Sequence, residues 1–286
     1  MSSKILVTGA TGNVGAEVVR LLCQDSQPVK VALRDCNAVN DSFSADVERV
    51  HFDFEKPETF RAAFQDVSKL FLMRPPAIAK TKQYINPAID AAKEAGIQQV
   101  VFLSIQGAEK NPVVPHAQIE SYIQSIELPY TFLRASFFMQ NLSTTHQPDI
   151  KNYRELFVPA GSGRTSFIDV RDIAAVAAKT LTEIGHENQA YELTGDEALD
   201  YYEVAHIFTK VLGRSIIYTD PSIILFAFRM HQRGLKASFI LIMIAIYTAA
   251  RLGLAERVTE DTKNLLQRDP ISMEKFVEDY QSCWIS

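Results

Sequence analysis

Short, mostly apolar runs alternate with amphipathic ones through the first half of the chain. The runs at 4–8, 29–33, 47–52, 69–73, 99–104 and 130–133 have the length and β-branched content of strands. They are too uniformly apolar for a sheet with one wet face, which predicts parallel strands covered on both sides. Between them, 14–24, 57–64, 84–95 and 116–125 repeat apolar residues at helical spacing, and Gly96 supplies a stop after the third. This alternation predicts an α/β fold built on a doubly wound, mostly parallel sheet.

Past residue 137 the alternation loosens into longer loops, with helices expected at 171–183 and 202–212 and strands at 190–193 and 215–218. These late strands join either the main sheet or a small side sheet. The organisation expected is a nucleotide-binding core over 1–136, then a mixed segment, 137–286, that adds late strands and builds a smaller substrate-side lobe. The apolar stretch 237–250, between Lys236 and Arg251, is fourteen residues long. A bilayer needs about twenty, so the stretch predicts a buried helix or a pocket wall and not a membrane span.

The first candidate chemistry lies directly after the first strand, in Thr8-Gly9-Ala10-Thr11-Gly12-Asn13-Val14-Gly15. Gly9 permits a tight turn, Gly12 lets backbone N–H groups approach a diphosphate, and Gly15 lets the following helix pack closely. Phosphate oxygens would then sit at the positive end of the helix that opens near Val14. The second strand ends at Arg34-Asp35, where an adenosine ribose would lie. A guanidinium at that tip suits the 2′-phosphate of NADP(H), which is therefore favoured over NAD(H). Asp53-Phe54, after the third strand, is placed to meet the adenine edge, and Asp53 equally suits a cap for the helix near Pro57.

Composition narrows the class without changing this picture. The chain has 286 residues, 47% hydrophobic and 22% charged, which is a folding composition and not a disordered one. A net charge of −5 without a basic block argues against direct nucleic-acid binding. Three cysteines at no metal-ligand spacing, and an opening MSSKILVTGA unlike a secretory leader, point to free thiols in a reducing, cytoplasmic compartment with no metal site.

The glycine turn, Leu72-Met73-Arg74-Pro75-Pro76, Val101-Phe102-Leu103-Ser104, Pro115-His116 with Glu120, Phe137-Phe138-Met139-Gln140-Asn141 and Phe167-Ile168-Asp169-Val170-Arg171-Asp172 occur in one order along the chain. In that order the sequence resembles the NmrA-like branch of the short-chain dehydrogenase/reductase superfamily, an atypical group of NAD(P)H-binding Rossmann proteins similar to quinone and triphenylmethane-dye reductases. The resemblance implies cofactor contacts at Gly9, Thr11, Gly12, Asn13, Val14, Gly15, Arg34, Asp53, Phe54, Met73, Arg74 and Ser104. It implies a substrate pocket at Arg74, Gln106, His116, Phe137, Phe138, Met139 and Asn141, with His116 and Ser104 as the catalytic candidates.

The wider superfamily reduces carbonyls with a Tyr-x-x-x-Lys pair, and none of the ten tyrosines here has a lysine four places on. His116 and Glu120 stand on the helix where the pair is expected, and the absence disfavours a sugar-nucleotide epimerase. Two readings follow. One is an oxidoreductase that passes hydride to a hydrophobic, electron-poor acceptor such as a quinone, dye or enone, the proton coming from solvent or His116. The other is a non-catalytic sensor whose bound dinucleotide orders loops read by a protein partner. The oligomeric state has no signal in the sequence.

Overall fold

The computed structural model describes residues 3–36, 43–44 and 47–285. In chain order its elements begin β1 (Lys4–Val7), α1 (Asn13–Gln24), β2 (Val29–Leu33), β3 (Glu48–His51), α2 (Phe60–Phe64), β4 (Val67–Leu72), α3 (Thr81–Tyr84), α4 (Asn86–Glu94), β5 (Gln99–Ile105), α5 (Pro115–Ser125) and β6 (Tyr130–Ala135). They continue with β7 (Phe137–Phe138), α6 (Gln140–Ser143), β8 (Glu155–Phe157), β9 (Phe167–Ile168), α7 (Val170–Thr182), β10 (Gln189–Leu193), α8 (Tyr201–Leu212), β11 (Ile217–Thr219), α9 (Ile223–Gln232), α10 (Ala237–Arg251), α11 (Asp261–Leu266) and α12 (Met273–Asp279). The chain divides into two compact units, 1–135 with 170–193, and 136–169 with 194–286.

The first unit holds a seven-stranded sheet in the order β10-β6-β5-β4-β1-β2-β3, every pairing parallel. The chain winds outward from β1 through β2 to β3, then crosses back so that β4 lies on the other side of β1. Beyond the carboxyl ends of β1 and β4 lies the crevice where open α/β sheets take their ligands. The central strands are buried on both faces, as their apolar runs predict. Helix α1 buries Val14, Val18, Val19 and Leu22, one stripe at helical spacing, and packs on α7.

Edge strand β3 departs from the expectation of uniformly apolar strands, since Glu48 and His51 are exposed. Its Glu48 bonds Lys30 of β2 at 3.0 Å, and the two residues are partners in the strand register. Charged side chains on an edge deter pairing with another sheet, which gives these polar positions their use. The late strand expected at 190–193 joins the main sheet as β10, beside β6. The one expected at 215–218 becomes β11 and pairs with β8 instead.

The second unit has its own core, in which Trp284 packs edge-on against Phe208 (4.8 Å) and Phe276 (6.0 Å). Helix α8 starts with a capping box: the Asp200 carboxylate accepts from the Glu203 N–H, and Glu203 accepts from the Asp200 N–H. Helix α10 corrects the expectation of a buried helix. Only Ile240, Met243, Tyr247 and Ala250 are buried, and Leu241, Ile242 and Ile246 face solvent. On its inner side Tyr247 is hydrogen-bonded to the buried His146, whose imidazole is pushed down to about 3 by burial and by Arg233. Among the described residues no helix is long and apolar enough to cross a membrane.

Candidate functional site

The turn after β1 is fixed by contacts that exclude side chains. Gly9 has φ +65°, a left-handed conformation that favours glycine. A Cβ on Gly15 would lie 2.2 Å from the Gly9 carbonyl oxygen, so only glycine lets α1 settle this closely on the turn. The Gly12 N–H donates to the Gly9 oxygen at 2.9 Å and closes the loop. Gly12 is also the N-cap of α1, and no side chain caps that end. The first-turn amides have no intrahelical acceptor and lie at the positive end of the helix dipole. Val14 is itself a core side chain, so only its backbone amide can serve a ligand.

A residue that sequence reasoning left out holds the turn in place. The buried Thr8 hydroxyl donates to the Phe71 carbonyl at 3.0 Å and accepts from the Met73 N–H at 2.8 Å. It pins the end of β1 to the end of β4, where the crevice opens. Met73 then covers the glycine turn, its methyl group occupying the space that a Cβ on Gly9 would need.

Beside the turn runs a cleft of about 550 Å³ whose walls bring together Gly9, Thr11, Gly12, Arg34, Asp53 and Phe54, with Met73 at one side. Arg34 is exposed, and its guanidinium has no ion pair among the described residues. Asp53 shapes the loop: its carboxylate accepts the Glu55 N–H at 3.0 Å and its own N–H donates to the Thr59 hydroxyl. Phe54 stands edge-on to Phe52 at 4.8 Å within the core. An uncapped helix end, a glycine cradle and an unpaired arginine suit the diphosphate and 2′-phosphate of a dinucleotide.

The end of β5 carries a buried polar cluster. The buried Ser104 hydroxyl donates to Glu120 at 2.5 Å. Glu120 is buried too, and Arg134 grips it through Nε (3.2 Å) and Nη2 (2.7 Å). Arg134 also reaches Glu109 at 3.3 Å. The Ser104 proton is therefore committed to a carboxylate, which leaves its oxygen as an acceptor. Glu120 is the partner of a cation.

His116 opens α5 with its ring stacked on Phe102, centroids 6.0 Å apart. Burial, and then the Arg74 guanidinium, push its pKa down to about 3. It is neutral at pH 7. Arg74 folds over its own loop and donates from Nη1 to the carbonyls of Pro75, Pro76 and Ile78, while its buried Nε has no acceptor. Gln106 donates its backbone N–H to Ala135.

The remaining sequence candidates lie in the second unit. Phe137 is half-buried and edge-on to Phe167 at 5.5 Å, and Phe138 is half-buried in the same short strand. Asn141 is half-buried in α6, with its carbonyl accepting the His146 N–H. Met139 is 3% exposed and belongs to the unit's core. Among the described residues no group of His, Cys, Asp and Glu could hold a metal ion.

A parallel sheet with a switch point, glycine turn and bare helix end at its carboxyl edge defines a Rossmann-type α/β protein. The sequence profile of the NmrA-like family matches residues 1–264, and the chain belongs to that family. It is 38% identical over 218 residues to an NAD(P)H azoreductase of Xenophilus azovorans, covering 75% of this chain and 76% of that protein. It is 28% identical over 237 residues to quinone oxidoreductase 2 of Escherichia coli, covering 81% and 82%. The triphenylmethane reductase of Citrobacter sp., solved in complex with NADP(H), superposes with a TM-score of 0.87 at 27% identity, covering 96% of this chain and 99% of that one.

The electrostatics of His116 generate one prediction. A pKa near 3, against 6.5 for an ordinary histidine, keeps the C2–H NMR signal of His116 at its neutral position from pH 8 down to pH 5. The folded state binds this proton less readily than the unfolded chain. The stability His116 contributes is thus complete above about pH 6.5 and is lost as the pH falls toward 3. A midpoint near 6.5 in the folded protein would contradict the assignment.

Proposed function

We propose that the protein is an NADP(H)-dependent oxidoreductase whose acceptors are hydrophobic and electron-poor: quinones, azo or triarylmethane dyes, and enones. The observation that carries this reading is the state of the two candidates nearest the catalytic position. Ser104 gives its proton to Glu120, and His116 is neutral and half-buried. Neither is a strong acid at pH 7, so reduction of a simple ketone, which localises charge on one oxygen, has no proton donor here. An acceptor that delocalises the added charge can take its proton from water afterwards. The azo, quinone and triphenylmethane activities in the relatives' names share that property.

The residues of the first unit divide the work. The first-turn amides of α1 hold the diphosphate, with Thr8 and Met73 fixing the turn beneath it. Arg34 takes the 2′-phosphate, and Asp53 and Phe54 border the adenine. A reduced nicotinamide bound in this frame supplies the hydride. Ser104, as an acceptor, orients a donor on the cofactor, and Arg74 and His116 border the acceptor as a cation and a neutral ring.

The test is oxidation of NADPH with naphthoquinone, an azo dye and a triarylmethane dye. Turnover with at least one of them, and none with cyclohexanone, is expected. NADPH binding without turnover on any acceptor would favour the sensor reading. Arg34→Ala should weaken NADPH binding by about tenfold to a hundredfold, the worth of one charge-assisted contact, and leave NADH affinity unchanged. An unchanged NADPH/NADH ratio would remove the 2′-phosphate from Arg34.

A further inference from the structure

Helices α9 and α10 pack against each other across the turn at Arg233-Gly234-Leu235-Lys236. Every residue from Ala237 to Ala250 is uncharged, and a helix apolar on all sides is normally buried. Here the inner stripe is buried and the outer surface is wet: Leu241 is 66% exposed, and next to it Ile242 and Ile246, one turn apart, are exposed too. On α9, Ile224 (82% exposed), Leu225 and Phe228 (58% exposed) share a face in the same way. Large contiguous apolar surface on a soluble chain marks a docking site.

Charge selects the occupant. Between Pro221 and Ala255 the sequence has Arg229, Arg233, Lys236 and Arg251 and not one Asp or Glu, in a chain whose net charge is −5. Three of these cations are held from below by Glu155 (2.6 Å), Asp149 (2.7 Å) and Asp220. Lys236, exposed at the turn, has no ion pair among the described residues, and His231 is exposed near it. A second copy seated on this face would bring the same unpaired lysine and no carboxylate to meet it. A lipid surface with phosphate headgroups offers apolar depth for the side chains and anions for Lys236.

We propose that the α9–α10 hairpin is a monotopic membrane-docking face that lies flat on an anionic lipid surface. At fifteen residues, α10 extends about 22 Å, too short to span a bilayer and suited to lying in its interface. The inference is independent of the redox reading and survives its failure.

Flotation of the full chain with phosphatidylcholine vesicles, with and without phosphatidylglycerol, tests it, alongside light scattering without lipid. The protein should float with the anionic vesicles and be monomeric alone. Leu241→Glu with Ile246→Glu, two exposed positions, should reduce flotation by more than about tenfold while NADPH affinity, measured in parallel as a check of folding, is unchanged. Lys236→Gln should reduce it by about fivefold, the worth of one cation at such a surface. Failure to float with either vesicle, equal flotation with both, or a lipid-free dimer that the double substitution dissociates would overturn the proposal.

Discussion

The contact between Gly15 and the Gly9 carbonyl is the constraint on which the rest depends. It brings α1 so close to the turn that no Cβ fits, leaving the helix end uncapped and facing the crevice between β1 and β4. Thr8 transmits that constraint across the sheet, because its hydroxyl joins the turn to the backbone after β4. The loop that follows, tied down by Arg74, forms one wall of the cleft, and Arg34 and Asp53 stand on others. A helix whose N-cap is glycine, as here, loses a few tenths of a kcal/mol relative to one capped by Ser, Thr, Asn or Asp. A bound anion offsets that loss, so the defect in the apoprotein is also its affinity for phosphate.

The second feature is the inversion of charge at the superfamily's catalytic helix. Where a lysine would lie four residues after the proton donor, this chain has Glu120, and its charge is neutralised by Arg134 from the neighbouring strand. Removing one partner of a buried pair costs about 3–5 kcal/mol, so Arg134 and Glu120 hold each other in place. The consequence passes to Ser104, whose proton points inward, and leaves His116 beside Arg74 as a neutral ring. The acceptors proposed above are ones that ask little acid catalysis of this position.

Much of this was legible in the residues. The strand at 29–33 falls where its β-branched run placed it, and the glycine spacing located the turn and the helix start. What could not be read depends on neighbours distant in sequence. Thr8 has a role only because β4 lies beside β1, and Glu120 meets Arg134 only through the packing of α5 on β6. The neutrality of His116 comes from burial and from Arg74, forty-two positions earlier. The polar content of β3 reflects its place at the sheet's edge. An all-apolar helix such as α10 shows a strong preference for leaving water, but its sequence does not say which of its sides the fold covers.

The central claim is that the bare amides at the start of α1 grip a diphosphate. A crystal structure of the protein with NADPH tests it most directly. Diphosphate oxygens should lie within hydrogen-bonding distance, about 2.7–3.2 Å, of the backbone N–H groups of Asn13 or Val14. A dinucleotide bound elsewhere, or a diphosphate held by side chains alone, would contradict the account.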